Sequence, residues 1–321
     1  MLIAALVLAV GFVAFTNGAN ANFKGVASLY GSGTTTREQA ALLGTVTTFL
    51  GSLVSFWLAE TMLKSFSGRG LVPDEVAQSP LFVSSVAMGT AITSFLATRL
   101  GFPVSTTHAL IGSLAGSGWM SVGSDLHLQS LVRLFIYPLL FSPFLAFALG
   151  SGLYALLVLM RCEGFQRSRF LDGIHVCSAG VASFARGLND TPKMVALLTC
   201  IPNQSISLLF FFVAALIALG GLLDSKKVAE TLGRKVTDMN PIQALAGNII
   251  TSILVSTASL HSFPVSTTHV SVGALAGIGA STRQAKWPKI LEIAVAWVST
   301  VPCGACFAAI VHLLLSRTLP Y

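Results

Sequence analysis

Apolar residues run through this chain in blocks of about 17–25 residues or more, the length that crosses a hydrocarbon core as a helix, with short charged stretches between them. Residues 2–30 form one such block, interrupted by the polar run Thr16-Asn17-Gly18-Ala19-Asn20-Ala21-Asn22. Residues 38–59 predict a clean span. Residues 81–98 and 103–118 predict two shorter segments joined at Arg99–Phe102, and 131–160 a long span kinked by Pro138 and Pro143. The same order then recurs. Residues 173–200 are interrupted at Arg186–Lys193, 205–223 are a span, 241–258 and 264–280 are a short pair, and 290–316 close the chain with Pro302 near the middle.

Composition agrees with this pattern. Hydrophobic residues make up 54% and charged residues 10% of the chain, and mean hydropathy is +0.79, which leaves no room for a sizeable water-facing domain. The N-terminus, Met1-Leu-Ile-Ala-Ala-Leu, lacks a basic leader and reads as a retained first helix. The net charge of +7 points to loop charges that set topology, not to nucleic acid. Of five cysteines, Cys303 and Cys306 form a CxxC within an apolar helix and read as packing residues, with no disulfide framework or zinc site.

The recurrence is an internal duplication. Phe-Pro-Val-Ser-Thr-Thr-His occurs at Phe102–His108 and again at Phe263–His269, and the match widens to 11 of 16 identical positions over Gly101–Gly116 and Ser262–Gly277. A fainter repeat aligns Phe15, Gly18, Asn20 and Lys24 with Phe184, Gly187, Asn189 and Lys193. The halves are residues 1–165 and 170–321, together one integral membrane domain. Each short pair is either two crossings or one re-entrant hairpin. Each half then crosses five times or three, both odd, so the second half enters from the opposite side and the repeats are inverted. One side would hold eleven Lys and Arg, from Arg37 and Arg161 to Lys286 and Lys289, and the other Lys64, Arg69 and Arg317. By the positive-inside rule both termini face away from the cytoplasm.

The duplicated motifs carry the candidate chemistry. Pro103 and Pro264 suit the first position of a helix, so the residues after them are expected to form first turns with unpaired N–H groups. Ser105, Thr106 and Thr107, with Ser266, Thr267 and Thr268, add hydroxyl donors there. Two such ends facing each other make a cradle for an oxyanion. Asn20, Asn189 and Asp190 lie where apolar helices should continue, and their oxygens suit a hard cation such as sodium. Lys24 and Lys193 are placed to attract the anion or to snorkel toward headgroups. His108 and His269 are candidates for coupling or for bonding the scaffold. Gly112 with Gly116, and Gly273 with Gly277, fall at helical spacing and predict close helix packing.

The paired Pro-Val-Ser-Thr-Thr-His segments, the Gly-x-Asn repeats and Gly233-Arg-Lys-Val-Thr-Asp-Met-Asn240 resemble the inorganic phosphate transporter (PiT) family over essentially the whole chain. The resemblance implies an all-α polytopic membrane protein of two inverted-topology repeats, with broken helices at 2–30 and 173–200 and re-entrant helical hairpins at 81–118 and 241–280. It implies a secondary active transporter, not an enzyme, that imports phosphate across the cell membrane by symport with sodium or protons, with no cofactor besides that ion. Phosphate would rest on the two Ser-Thr-Thr segments, and sodium on Asn20, Asn189 and Asp190. A homodimer is compatible with the fold. One departure stands out. The family's first signature reads Gly-Ala-Asn-Asp, whereas this chain has Gly18-Ala19-Asn20-Ala21 beside an intact Gly187-Leu188-Asn189-Asp190. Ala21 is therefore expected to weaken one cation site and lower the number of cations carried per anion.

Sulfate is the nearest rival substrate, being a tetrahedral oxyanion of similar size. A passive anion channel and an intramembrane hydrolase built on Ser105 and His108 are remoter readings. The hydrolase needs one activated nucleophile with an oriented base, and exact duplication argues for a symmetric pathway instead.

Overall fold

In the computed structural model, which describes residues 2–161, 168–261 and 263–318, every long element is a helix. Part of the expected boundary between the halves, with Cys162, Arg167 and Ser262, lies outside the described residues. Five long helices come from each half. They are α1 (Leu2–Ala21), α2 (Arg37–Val54), α3 (Pro80–Leu100), α4 (Thr106–Val122) and α5 (Tyr137–Leu159), then α6 (Arg169–Val195), α7 (Ile206–Asp224), α8 (Pro241–Leu260), α9 (Thr267–Ser281) and α10 (Trp287–Thr318). Among the described residues seven helices are long and apolar enough to cross a membrane, α1 together with the turn that follows it among them. Shorter α4 and α9 and the polar α6 are not in that set. Large side chains such as Phe141, Phe144 and Phe211 stand exposed on the outer helices, as a lipid-facing surface requires.

Local signals fix the helix ends. Thr36 with Gln39 and Asn240 with Gln243 form reciprocal capping boxes at the starts of α2 and α8. Gly101 ends α3 at φ 79°, a left-handed conformation that suits glycine.

Packing follows an exchanged pattern between the halves. α4 lies along α10 of the other half, and in the same way α9 lies along α5. α2 packs on α6 and α7 on α1, again the same relation seen from each repeat. The glycine pairs make these approaches close. A Cβ at Gly112 or Gly116 would collide with the backbone carbonyls of Val301 or Ala305, and one at Gly273 or Gly277 with those of Pro143 or Phe147. The close packing expected at these positions is present.

α1 and α6 run antiparallel where they cross. Asn17 meets Asp190, Asn22 meets Arg186, and Gly25 abuts Ser183, so numbers rise on one helix as they fall on the other. These two helices are repeat equivalents, so the repeats are related by inversion.

The two halves differ at the expected breaks. α1 stops at Ala21 and a tight turn at Asn22–Gly25 leads into a short helix at Ala27–Gly31. The expected interruption of 173–200 at Arg186–Lys193 is not a break. α6 continues to Val195 through Pro192, followed by a short tight turn at Ala196–Leu198. The polar side chains there bond one another, neighbouring helices and the chain before α9 and leave the backbone of their own helix alone, so the helix survives their presence.

Candidate functional site

The heptapeptides adopt the same conformation twice. Ser105 (φ −90°, ψ 111°) and Ser266 (φ −92°, ψ 110°) are N-caps, and their hydroxyl oxygens accept from the N–H groups of His108 and His269, each at 3.2 Å. The helices begin at Thr106 and Thr267, so Pro103 and Pro264 sit three residues earlier, in extended chain, and not at the first helical position. The reason is that serine takes the cap, and proline's fixed φ and missing N–H suit the extended lead-in. Thr106 and Thr107 are then the first two helical residues, whose N–H groups have no acceptor within their own helix.

The two turns touch. Thr268 Oγ1 donates to Val104 O at 2.9 Å, which joins the second motif to the first. Each motif also receives a lysine from its own half, Lys24 from the turn after α1 and Lys193 from α6. Lys24 Nζ donates to Val104 O at 2.7 Å, and Lys193 Nζ to the equivalent Val265 O at 3.0 Å. Both lysines are only 3% exposed, which excludes snorkelling.

Asn20 and Asn189 are also used alike. Asn20 Nδ2 donates to Thr98 Oγ1 at 3.0 Å, and Asn189 Nδ2 to Ser259 Oγ at 3.2 Å. Asn20 further donates to Phe102 O and accepts from Val104 N at 3.0 Å, which pins the turn between α3 and α4. Both ends of its amide thus bond the scaffold. Asn189 Oδ1 accepts from Lys193.

Two residues of this centre were missed by the sequence reading. Arg186, fully buried, donates through Nη2 to Asn17 Oδ1 at 2.7 Å and through Nη1 to Thr48 Oγ1 at 3.2 Å. Its Nε lies 3.7 Å from Asp190 Oδ2. Asn17 Nδ2 donates to Thr106 Oγ1 at 3.0 Å and to Asp190 Oδ2 at 3.4 Å. The signal was available, because the offset that aligns Lys24 with Lys193 also aligns Asn17 with Arg186.

Asp190 is the carboxylate of the centre: Lys193 Nζ lies 3.2 Å from its Oδ1 and Arg186 Nε 3.7 Å from its Oδ2, while buried Lys24 stands beside the first turn. A small cavity opens beside Asp190 and Lys193, lined also by Asn17, Thr106, Thr107 and Leu110, and the second Ser-Thr-Thr turn does not reach it. A buried excess of positive charge beside hydroxyl and helix N-terminal donors is a place for an anion.

His108 and His269 stand apart from that cavity. Their rings pack at 4.5 Å, His269 lies 4.0 Å from the Trp297 ring, and the His269 Nδ1 is 3.1 Å from Leu139 O. His269 thereby bonds the scaffold at Leu139, and His108 Nδ1 and His269 Nε2 are buried with no hydrogen-bond partner among the described residues. Cys303 and Cys306 are exposed on α10, not packed inward.

An all-helical, multi-span membrane protein with two inverted repeats around a buried anion-attracting centre is a transporter and not an enzyme. The chain belongs to the Phosphate transporter family, whose model matches it twice, over residues 17–167 and 161–308. Its class of activity is inorganic phosphate transport. A relative from Rhizobium meliloti (strain 1021), described as a "probable low-affinity inorganic phosphate transporter", is 27% identical over 326 residues, covering 97% of this chain and 96% of the relative. A protein of the same description from Bacillus subtilis (strain 168) is 23% identical over 316 residues, covering 94% of this chain and 93% of the relative. A solved structure titled "The sodium-dependent phosphate transporter" has the same fold, with a TM-score of 0.87, 20% identity, and coverage of 99% of this chain and 100% of that one.

Proposed function

We propose that this transporter imports inorganic phosphate by cation symport, through alternating access of its inverted repeats, with both termini outside the cytoplasm. The anion would be held between the Ser105–Thr107 and Ser266–Thr268 turns and balanced by Lys24, Lys193 and Arg186. The observation that carries this reading is the contact of two identical turns at a buried centre where Arg186 and Lys193 lie against Asp190 and Lys24 holds the first turn. Phosphate fits better than sulfate for a specific reason. Asp190 lines the cavity beside Thr106 and Thr107, and protonated phosphate oxygens can donate to it, whereas sulfate has no hydrogen to give.

The test is uptake of labelled phosphate into proteoliposomes, with sodium and proton gradients imposed separately and with sulfate as competitor. Phosphate accumulation that depends on an imposed cation gradient and resists excess sulfate is expected. Accumulation of sulfate in preference to phosphate, or flux indifferent to both gradients, would overturn the reading.

A further inference from the structure

The Lys193 ammonium sits within a set of four oxygens. Its Nζ donates to Asn189 Oδ1, to Thr107 Oγ1 at 2.9 Å and to Val265 O at 3.0 Å, and lies 3.2 Å from Asp190 Oδ1. These atoms come from α6, from the first turn of α4 and from the extended chain before α9. They comprise a side-chain carbonyl, a hydroxyl, a main-chain carbonyl and a carboxylate. That is the donor set of a hard cation, neutral oxygens with one negative charge at a gap in the apolar packing. Asn189 and Asp190 are the residues whose chemistry suggested sodium, and a side-chain ammonium occupies the place they form.

The first half lacks the equivalent carboxylate. Ala21 stands where Asp190 stands in the second, Asn20 bonds the turn at both ends of its amide, and Lys24 holds Val104 O as Lys193 holds Val265 O.

Resting on the reading of this centre as an anion site, we propose that Lys193 is a tethered cation that fills the cation position of the second repeat, and that phosphate binding therefore needs no sodium. A free cation neutralises Asp190 only while bound and must be drawn from solution for each cycle. A tethered one neutralises it permanently and carries no gradient energy.

The experiment titrates purified full-length protein in nanodiscs with labelled phosphate. It compares sodium chloride with choline chloride at equal ionic strength, so that screening is the same in both. Wild-type Kd values within about twofold of each other are expected, and a gain of about tenfold or more in sodium overturns the proposal. Lys193→Ala should lose about tenfold or more in choline, the scale of one charge-assisted hydrogen-bonding group, and recover most of it in sodium, because the vacated oxygens accept the free ion. Equal weakness in the two salts overturns the proposal. If Lys193→Ala does not fold, Lys193→Met serves in its place, and the wild-type comparison decides on its own. Thermal unfolding without any anion reads the cation position separately. Sodium should stabilise the variant relative to choline and leave the wild type unmoved, and the reverse overturns the assignment. This arm stands apart from the substrate. Sulfate binding in place of phosphate would sink the phosphate reading and leave the thermal comparison to judge Lys193.

Discussion

Asn17 and Arg186 occupy equivalent places in the two repeats, 169 positions apart, and they are bonded to each other, Arg186 Nη2 donating to Asn17 Oδ1 at 2.7 Å. Side chains at equivalent positions can meet only beside the axis that relates the copies. His108 and His269, equivalent through the heptapeptide, also meet, with ring centroids 4.5 Å apart. The pseudo-two-fold axis therefore passes through both pairs. Symmetry fails in charge at the first pair, because one copy is neutral and the other a buried guanidinium.

That asymmetry gives a prediction for Arg186. Removing one partner of a buried charged group is costly because the other is left unpaired, and here Asp190 keeps Lys193 alone at close range. Arg186→Gln is expected to weaken phosphate binding by about tenfold or more, on the scale of hydrogen bonds to charged groups. Arg186→Lys should retain part of the affinity, since it keeps charge without the planar fork. Isothermal titration of each variant checks this, and unchanged affinity in Arg186→Gln would assign the guanidinium to scaffolding alone.

Gly116 and Gly277 hold the exchanged helix pairs together. A side chain at either would meet the backbone of Ala305 or Phe147, which cannot rotate away. Gly116→Val and Gly277→Val are each expected to destabilise the fold by about 1–3 kcal/mol, the usual cost of overpacking. Thermal unfolding in detergent reads the effect, and a Tm unchanged from wild type would show that these helices slide freely.

His269→Ala should separate scaffold from site. It removes the contact with Leu139 O and a ring packed on Trp297, so a loss of about 0.5–1.5 kcal/mol in stability is expected from the hydrogen bond. Phosphate affinity in the folded variant should stay within about twofold, because among the described residues no hydrogen bond joins the imidazole to Lys193, Thr106 or Thr107. A large loss of affinity with intact stability would move His269 into the binding centre.

Much of this was legible in the chain itself. Apolar blocks at bilayer length and the duplicated heptapeptide gave the span order, the hairpin positions and the inversion, because these depend on period and parity alone. The meeting of the two Ser-Thr-Thr turns followed from the same symmetry. What stayed hidden depends on how side chains share partners. Nothing in the spacing of Arg186–Lys193 tells whether its polar groups break a helix or satisfy one another, and in the fold Lys193 bonds Asn189 and Asp190 and the helix runs on. Serine capping of α4 and α9 displaced the prolines for an equally local reason, since one hydroxyl bond to a backbone N–H moves a helix start by three residues.

Ala21 offers the sharpest test of how the centre works. It is fully buried and equivalent to Asp190, so Ala21→Asp places a carboxylate near Lys24 as Asp190 lies near Lys193. From the sequence, restoring the family's acid was expected to restore a cation site and raise the number of cations carried per phosphate. The proposed role of the lysines predicts a different outcome, because an ammonium already sits at the motif of each half. The introduced carboxylate would pair with Lys24, leaving three cations against two carboxylates around the anion. One added negative charge within several ångströms of a dianion in a partly buried site is worth a few kcal/mol before compensation by Lys24. Phosphate affinity should therefore fall by about tenfold, with the ion-to-phosphate ratio unchanged. Flux measurements in liposomes at several imposed voltages and sodium gradients give that ratio, and titration gives the affinity. A ratio that rises by one sodium in Ala21→Asp would show that the first repeat keeps a latent site for the free ion, and that Lys24 does not stand in for it.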